Sequence, residues 1–160
     1  MTARPAPRSM TVKATCIAEN QAERERLNRL ASGLTRADLQ REMPNGWTIA
    51  TKLLHLAFWD YYALEMLKRW KGNGVTVSSV DMDAVNGAVR EISSKIPEQA
   101  VIALVCSAAK AVDREVEGVG PELEKAIEDT GRSRILRRAI HRREHLDQID
   151  RALGRELGGS

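Results

Sequence analysis

Only three histidines occur in the 160-residue chain, His55, His141 and His145, and their spacing is the first sign of chemistry. His141 and His145 lie four residues apart. On an α-helix that separation puts two imidazoles on one face, about 40° apart in projection and one turn apart along the axis, where both can reach one metal ion. His55 falls inside the most apolar stretch of the chain, and in a helical bundle inward side chains from facing helices can meet at one point. Spacing alone leaves alternatives open. Paired histidines also fall on surface helices by chance, and a lone histidine on an apolar helix is commonly a hydrogen-bonded core residue.

The elements that position these residues follow from apolar periodicity and capping signals. Residues 1–17, with Arg4, Arg8 and Lys13 among Pro and Ser and no continuous apolar run, read as a flexible tail and not a signal peptide. Residues 18–157 read as a single domain. Ala22, Leu27, Leu30, Ala31 and Leu34 form the stripe of a first helix, after which Thr35 and Asp38 cap a short turn and Pro44-Asn45-Gly46 makes a loop. Thr48 is the expected N-cap of a second long helix, with Trp47 ahead of it and Gly72-Asn73-Gly74 as the stop. Its apolar residues cover nearly the whole circumference, so it should lie at the centre of the core. Asp81 or Asp83 opens a moderate helix ending near Lys95, and Pro97 lies in the first turn of a third long helix running to about Gly118. Pro121 starts a short helix to Asp129, and Ser133 caps a last helix reaching about Leu157. Strand formers are scattered singly, which excludes an all-β fold. The expectation is an all-α four-helix bundle with an extra short helix between the second and third long ones.

On the last helix the apolar stripe (Ile135, Ala139, Leu146, Ile149, Leu153) is centred about 120° round from His141, and the histidines sit at its flank beside Arg134, Arg138 and Gln148. Core-filling histidines would lie nearer the stripe's centre. A cleft edge open to water fits better.

The segment Gly46-Trp-Thr-Ile-Ala-Thr-Lys-Leu-Leu-His-Leu-Ala-Phe-Trp-Asp60 resembles the second helix of the DinB-like superfamily, in which a Trp followed by Ser or Thr opens the helix and a His-Leu-Ala-x-Trp-acid run follows. His141-Arg-Arg-Glu-His145-Leu-Asp-Gln-Ile149 is similar to that family's last helix, and Asp83-Ala-Val-Asn86 is similar to the Asp-x-x-Asn of its middle region. The resemblance spans roughly residues 20–157 and implies a bundle with one divalent metal held by His55, His141 and His145, with positions left open for water or substrate. Three neutral imidazoles suit Zn, Ni, Fe or Mn. It further implies thiol-dependent isomerases and S-transferases using a low-molecular-weight thiol such as mycothiol, bacillithiol or glutathione, or hydrolases that detoxify electrophiles. In the maleylpyruvate isomerase branch the position matching His141 is usually Glu and a second domain follows the bundle. This chain has His there and ends near Ser160, which counts against that branch's reaction.

Other residues carry a functional and an ordinary reading side by side. Trp59, Tyr62 and Met66 project near His55 and line a substrate pocket or simply fill core. Asp60 projects with Leu53, Leu64 and Leu67, so it needs a partner; it orients an arginine or a ligand histidine, or caps a neighbouring helix. Glu144 projects about 60° from His141 and serves as a general base or as a surface ion-pair partner. Asp60 and Glu144 are thus the catalytic candidates. Arg134 and Arg138 share the His141 side and can receive a carboxylate, whereas most arginines of this helix form a solvated face.

Lys and Arg number 25 against 22 Asp and Glu, an excess too small to establish nucleic-acid binding. The stretch Leu53 to Leu67 is broken by His55, Asp60 and Glu65 and is too short to span a membrane. Cys16 and Cys106 have no close Cys or His neighbour and read as buried or idle thiols. The expected protein is cytoplasmic, has a small-molecule substrate and neither a nucleic-acid nor a membrane partner, and leaves a homodimer open. The expected function is that of a metal-dependent enzyme acting on a small electrophile, the metal activating a thiol or water. The alternative is a non-catalytic helical binding or scaffold protein with a structural metal site, since no fourth histidine, Ser-His pair or exposed reactive cysteine adds chemistry beyond the metal.

Overall fold

The computed structural model describes residues 12–155. Among these, seven α-helices and one 3-10 turn make up the fold: α1 (Val12–Ser32), α2 (Arg36–Leu39), α3 (Ile49–Asn73), α4 (Met82–Ser93), α5 (Glu98–Glu117), α6 (Pro121–Asp129), the turn Ser133–Ile135, and α7 (Arg138–Ala152). The expected short helix between the second and third long helices is α4. The local signals behave as read. Thr35 and Asp38 close a reciprocal capping box, Thr48 Oγ1 accepts from the Thr51 amide, and of the two aspartates it is Asp81 that caps α4. Gly46, at φ 77°, takes the left-handed backbone its turn requires.

Three boundaries differ from expectation. Helix α1 starts at Val12, so residues 12–17 of the expected tail are helical; Cys16 is buried, and Lys13 donates from Nζ to the Val119 carbonyl at 2.6 Å. The rest of that tail lies outside the described residues. The last helix is shorter than its apolar pattern. Ser133 opens the 3-10 turn and does not cap the last helix, which begins at Arg138, and Asn20 of α1 satisfies the break, donating to the Leu136 carbonyl and accepting from the Ala139 amide, each at 2.8 Å. At the other end Gly154 adopts φ 68°, its amide donates to Arg151 and that of Arg155 donates to Asp150, which terminates α7 at Ala152.

Helix α3 packs on α5 and α7, and α1 packs on the same two, so α1 and α3 are diagonal across the bundle, with α4 laid on α3. Fourteen of the 25 residues of α3 are buried, as its apolar circumference requires. The core has two apolar clusters, one around Leu27, Leu53, Val105 and Leu146, the other around Leu67, Val112, Ile127 and Leu136. A polar layer separates them. Arg142, fully buried, donates to Asp60, to Asp113 and to the Asn20 and Ala109 carbonyls at 2.8–3.3 Å. This arginine does not belong to the solvated face of α7, and neither does Arg138, also buried.

Candidate metal centre

Helix α3 delivers His55, and one turn of α7 delivers His141 and His145. Their three Nε2 atoms lie 3.1 Å from one another in all three pairs. His55 and His145 are buried, and His141 is partly so. Bonds of about 2.1 Å would space donor atoms about 3.4 Å apart at tetrahedral angles and about 3.0 Å apart at right angles. The observed triangle falls between these, so the three nitrogens fit one ion.

The protonation chemistry agrees. Burial is the main cause that lowers the basicity of all three rings, followed for His55 by His145 and Lys52, and for His141 by Arg138 and the other two histidines; His55 is lowered to about 3. The rings are therefore neutral at pH 7, each with one nitrogen that carries a lone pair. For His145 the burial effect is opposed by Gln148, whose Oε1 lies 3.0 Å from Nδ1. Nδ1 of His55 is buried without a hydrogen bond of good geometry, as is Oδ1 of Asn86, yet Asn86 is the group that opposes the fall in His55 basicity. The amide oxygen of Gln148 beside the His145 Nδ1–H leaves that ring's Nε2 unprotonated toward the centre. His141 differs, because the Nη2 of Arg138 stands 3.4 Å from its Nδ1 and a guanidinium can only donate.

His141 also forms part of the wall of a cleft of about 440 Å³ that includes Trp59, Tyr62, Arg132, Arg134, Arg137 and Arg138 together with residues 78–80. The substrate-binding candidates Trp59, Tyr62, Arg134 and Arg138 are thus gathered on one side of the histidines. The two catalytic candidates are placed differently. Asp60 is fully buried, and its two oxygens accept from Arg138 Nε at 2.8 Å and from Arg142 at 3.0 and 3.1 Å. Of the sequence alternatives it therefore orients arginines, one of which touches His141, and it has no oxygen left open to a substrate. Glu144 is exposed and faces Arg134 at 4.0 Å, the surface ion-pair reading.

Sequence reasoning gave no role to Lys52, Asn86 or the Arg142–Asp113 pair. Lys52 lies one turn before His55, buried, with Nζ 4.7 Å from the centre of the Trp47 ring. Its signal was a lysine on the otherwise apolar first turns of α3. Trp47 itself packs edge-on to His55, with ring centres 5.4 Å apart.

Comparison with curated proteins and with solved structures finds no match. A sequence profile of the DinB superfamily matches residues 19–153, most of the chain and all three histidines, and the chain belongs to that superfamily.

Proposed function

We propose that this member of the DinB superfamily is a divalent-metal-dependent enzyme acting on a small electrophile that carries an acidic group, by transfer of a low-molecular-weight thiol or by hydrolysis. The observation that carries this reading is the junction of the histidine triangle with the arginine cleft through His141. Zn, Ni, Fe or Mn held by His55, His141 and His145 would lower the pKa of a water or thiol in an open position. Arg134, exposed and only loosely paired with Glu144, offers its forked donors to a carboxylate. Trp59 and Tyr62 supply an apolar wall, and the Trp59 Nε1–H, buried with no partner among the described residues, is a donor left for an oxygen of the bound molecule. Arg138, held by Asp60, adds fixed positive charge beside the acidic group.

The alternative, a scaffold with a structural metal, draws less support. Two apolar clusters and a buried ion network already hold the bundle together, whereas metal-dependent folding belongs mostly to smaller chains. The test is elemental analysis of protein purified without a His tag, followed by turnover of carboxylate-bearing activated alkenes and epoxides with and without added thiol. Bound metal and metal-dependent turnover, lost in His145→Ala, are expected. A chain that binds no transition metal, or turns over nothing when loaded, overturns the reading.

A further inference from the structure

Along α3 the order is Lys52, His55, Trp59, Tyr62, and along the 3-10 turn and α7 it is Arg134, Arg138, His141, His145, Gln148, Arg151. One cleft joins Trp59 and Tyr62 to Arg134 and Arg138. A second, of about 370 Å³, joins Lys52 to Gln148 and Arg151, with Met43 and Pro44 as apolar walls. The two helices therefore run in opposite directions, and the histidines lie between two clefts.

Lys52 is 5% exposed, and its ammonium has neither a hydrogen bond nor an ion pair among the described residues; its recorded neighbour is the face of Trp47. Lysine is almost never buried this far without a partner, because stripping water from a charge is costly. No carboxylate of α7 fills that role. Asp147 and Asp150 are each bound to Arg26 at 2.7 Å, and Glu144, exposed and facing Arg134, attracts Lys52 only through space, less than burial disfavours its charge. The three imidazoles on the other side of Lys52 offer it no negative charge. A desolvated cation that lines a cleft and has no ion pair among the described residues can take an external anion.

We propose that Lys52 and its cleft form a second anion pocket, across the histidines from the arginine cleft, that takes a small monocarboxylate. One desolvated ammonium matches one negative charge, Met43 and Pro44 suit a short apolar group, and Arg151, exposed at the rim, steers the approach. Gln148 forms part of the wall while holding His145 at 3.0 Å, so a molecule seated here lies beside the centre. For the enzyme proposed above, the pocket provides a place for a second reactant, opposite the first.

The pocket needs no metal, so metal-free full-length protein tests it apart from the enzymatic reading. Thermal unfolding is followed while sodium acetate replaces sodium chloride at constant ionic strength. Acetate should raise the wild-type melting temperature saturably, by about 3 °C or more at a concentration roughly tenfold above its dissociation constant. Lys52→Met should lose that rise, and Arg134→Ala should keep it. In the wild type, the Lys52 ammonium resonance in a proton–nitrogen NMR spectrum should shift along the same acetate titration, a readout that stands even if Lys52→Met does not fold. An acetate response undiminished in Lys52→Met, a Lys52 resonance indifferent to acetate, or stronger stabilisation by inorganic phosphate than by acetate overturns the proposal.

Discussion

Gln148 holds His145 through a single contact, Oε1 to Nδ1 at 3.0 Å. Because the carbonyl oxygen can only accept, the ring proton stays on Nδ1 and Nε2 faces the other two histidines as a lone pair. Replacing Gln148 with Leu removes this constraint and should weaken zinc affinity by about 10–100-fold, measured by competition with a chromophoric chelator. Affinity equal to wild type would show that the ring is oriented by packing alone.

Loss of a ligand should cost more. His145→Ala and His141→Ala should each lower zinc affinity more than the about 10–100-fold expected for an outer partner, while leaving a cooperative helical protein by circular dichroism. Either variant unfolded at 25 °C would make the centre structural.

The lowered histidine basicities set the acid behaviour of the metal-free protein. The folded pKa of His55 is about 3, and those of His141 and His145 are also lowered, against about 6.5 in an unfolded chain. Below about pH 6.5 the unfolded state takes up protons that the native state refuses. The stability due to these rings is therefore complete above that pH and lost progressively as the pH falls toward 3, which urea unfolding at a series of pH values can follow. Since burial lowers the basicity of all three ligands, the fall in zinc affinity on acidification should begin at a lower pH than at a site of ordinary imidazoles. A steep fall beginning near pH 6.5 would contradict the burial described here.

Arg142→Met leaves Asp60 and Asp113 without their shared cation in a dry layer. The expected loss is about 3–5 kcal/mol, read from urea denaturation. A loss below about 1 kcal/mol would mean that water reaches the layer.

What the sequence disclosed and what it hid divide along the range of the interactions. Thr48, Asp81 and Pro121 act on backbone groups within a few residues, so their helix starts could be read directly. The histidines were legible because helical spacing brings His141 beside His145, although only the bundle brings His55 to them. The start of α7 was not legible: its cap is Asn20, 119 residues away, and no local side chain marks it. Arg142 was lost among neighbouring arginines, since a helical wheel cannot distinguish a solvated guanidinium from one whose acids arrive from α3 and α5. Asp60 was the better clue, an acid on an apolar face that had to have a partner. Lys52 was passed over because a single cation on an apolar helix so often reaches water with its tip.

Arg142 touches all four long helices: Asn20 on α1, Asp60 on α3, Ala109 and Asp113 on α5, and its own α7. Two apolar clusters by themselves tolerate sliding, because leucine and valine accept many neighbours of similar shape. A guanidinium with six directed contacts does not. Moving α7 by one turn along its axis would shift this group by about 5.4 Å, stripping it of its partners and carrying His141 and His145 away from His55 by the same step. The buried arginine thus fixes the register of the bundle, and the alignment of the three imidazoles follows from it.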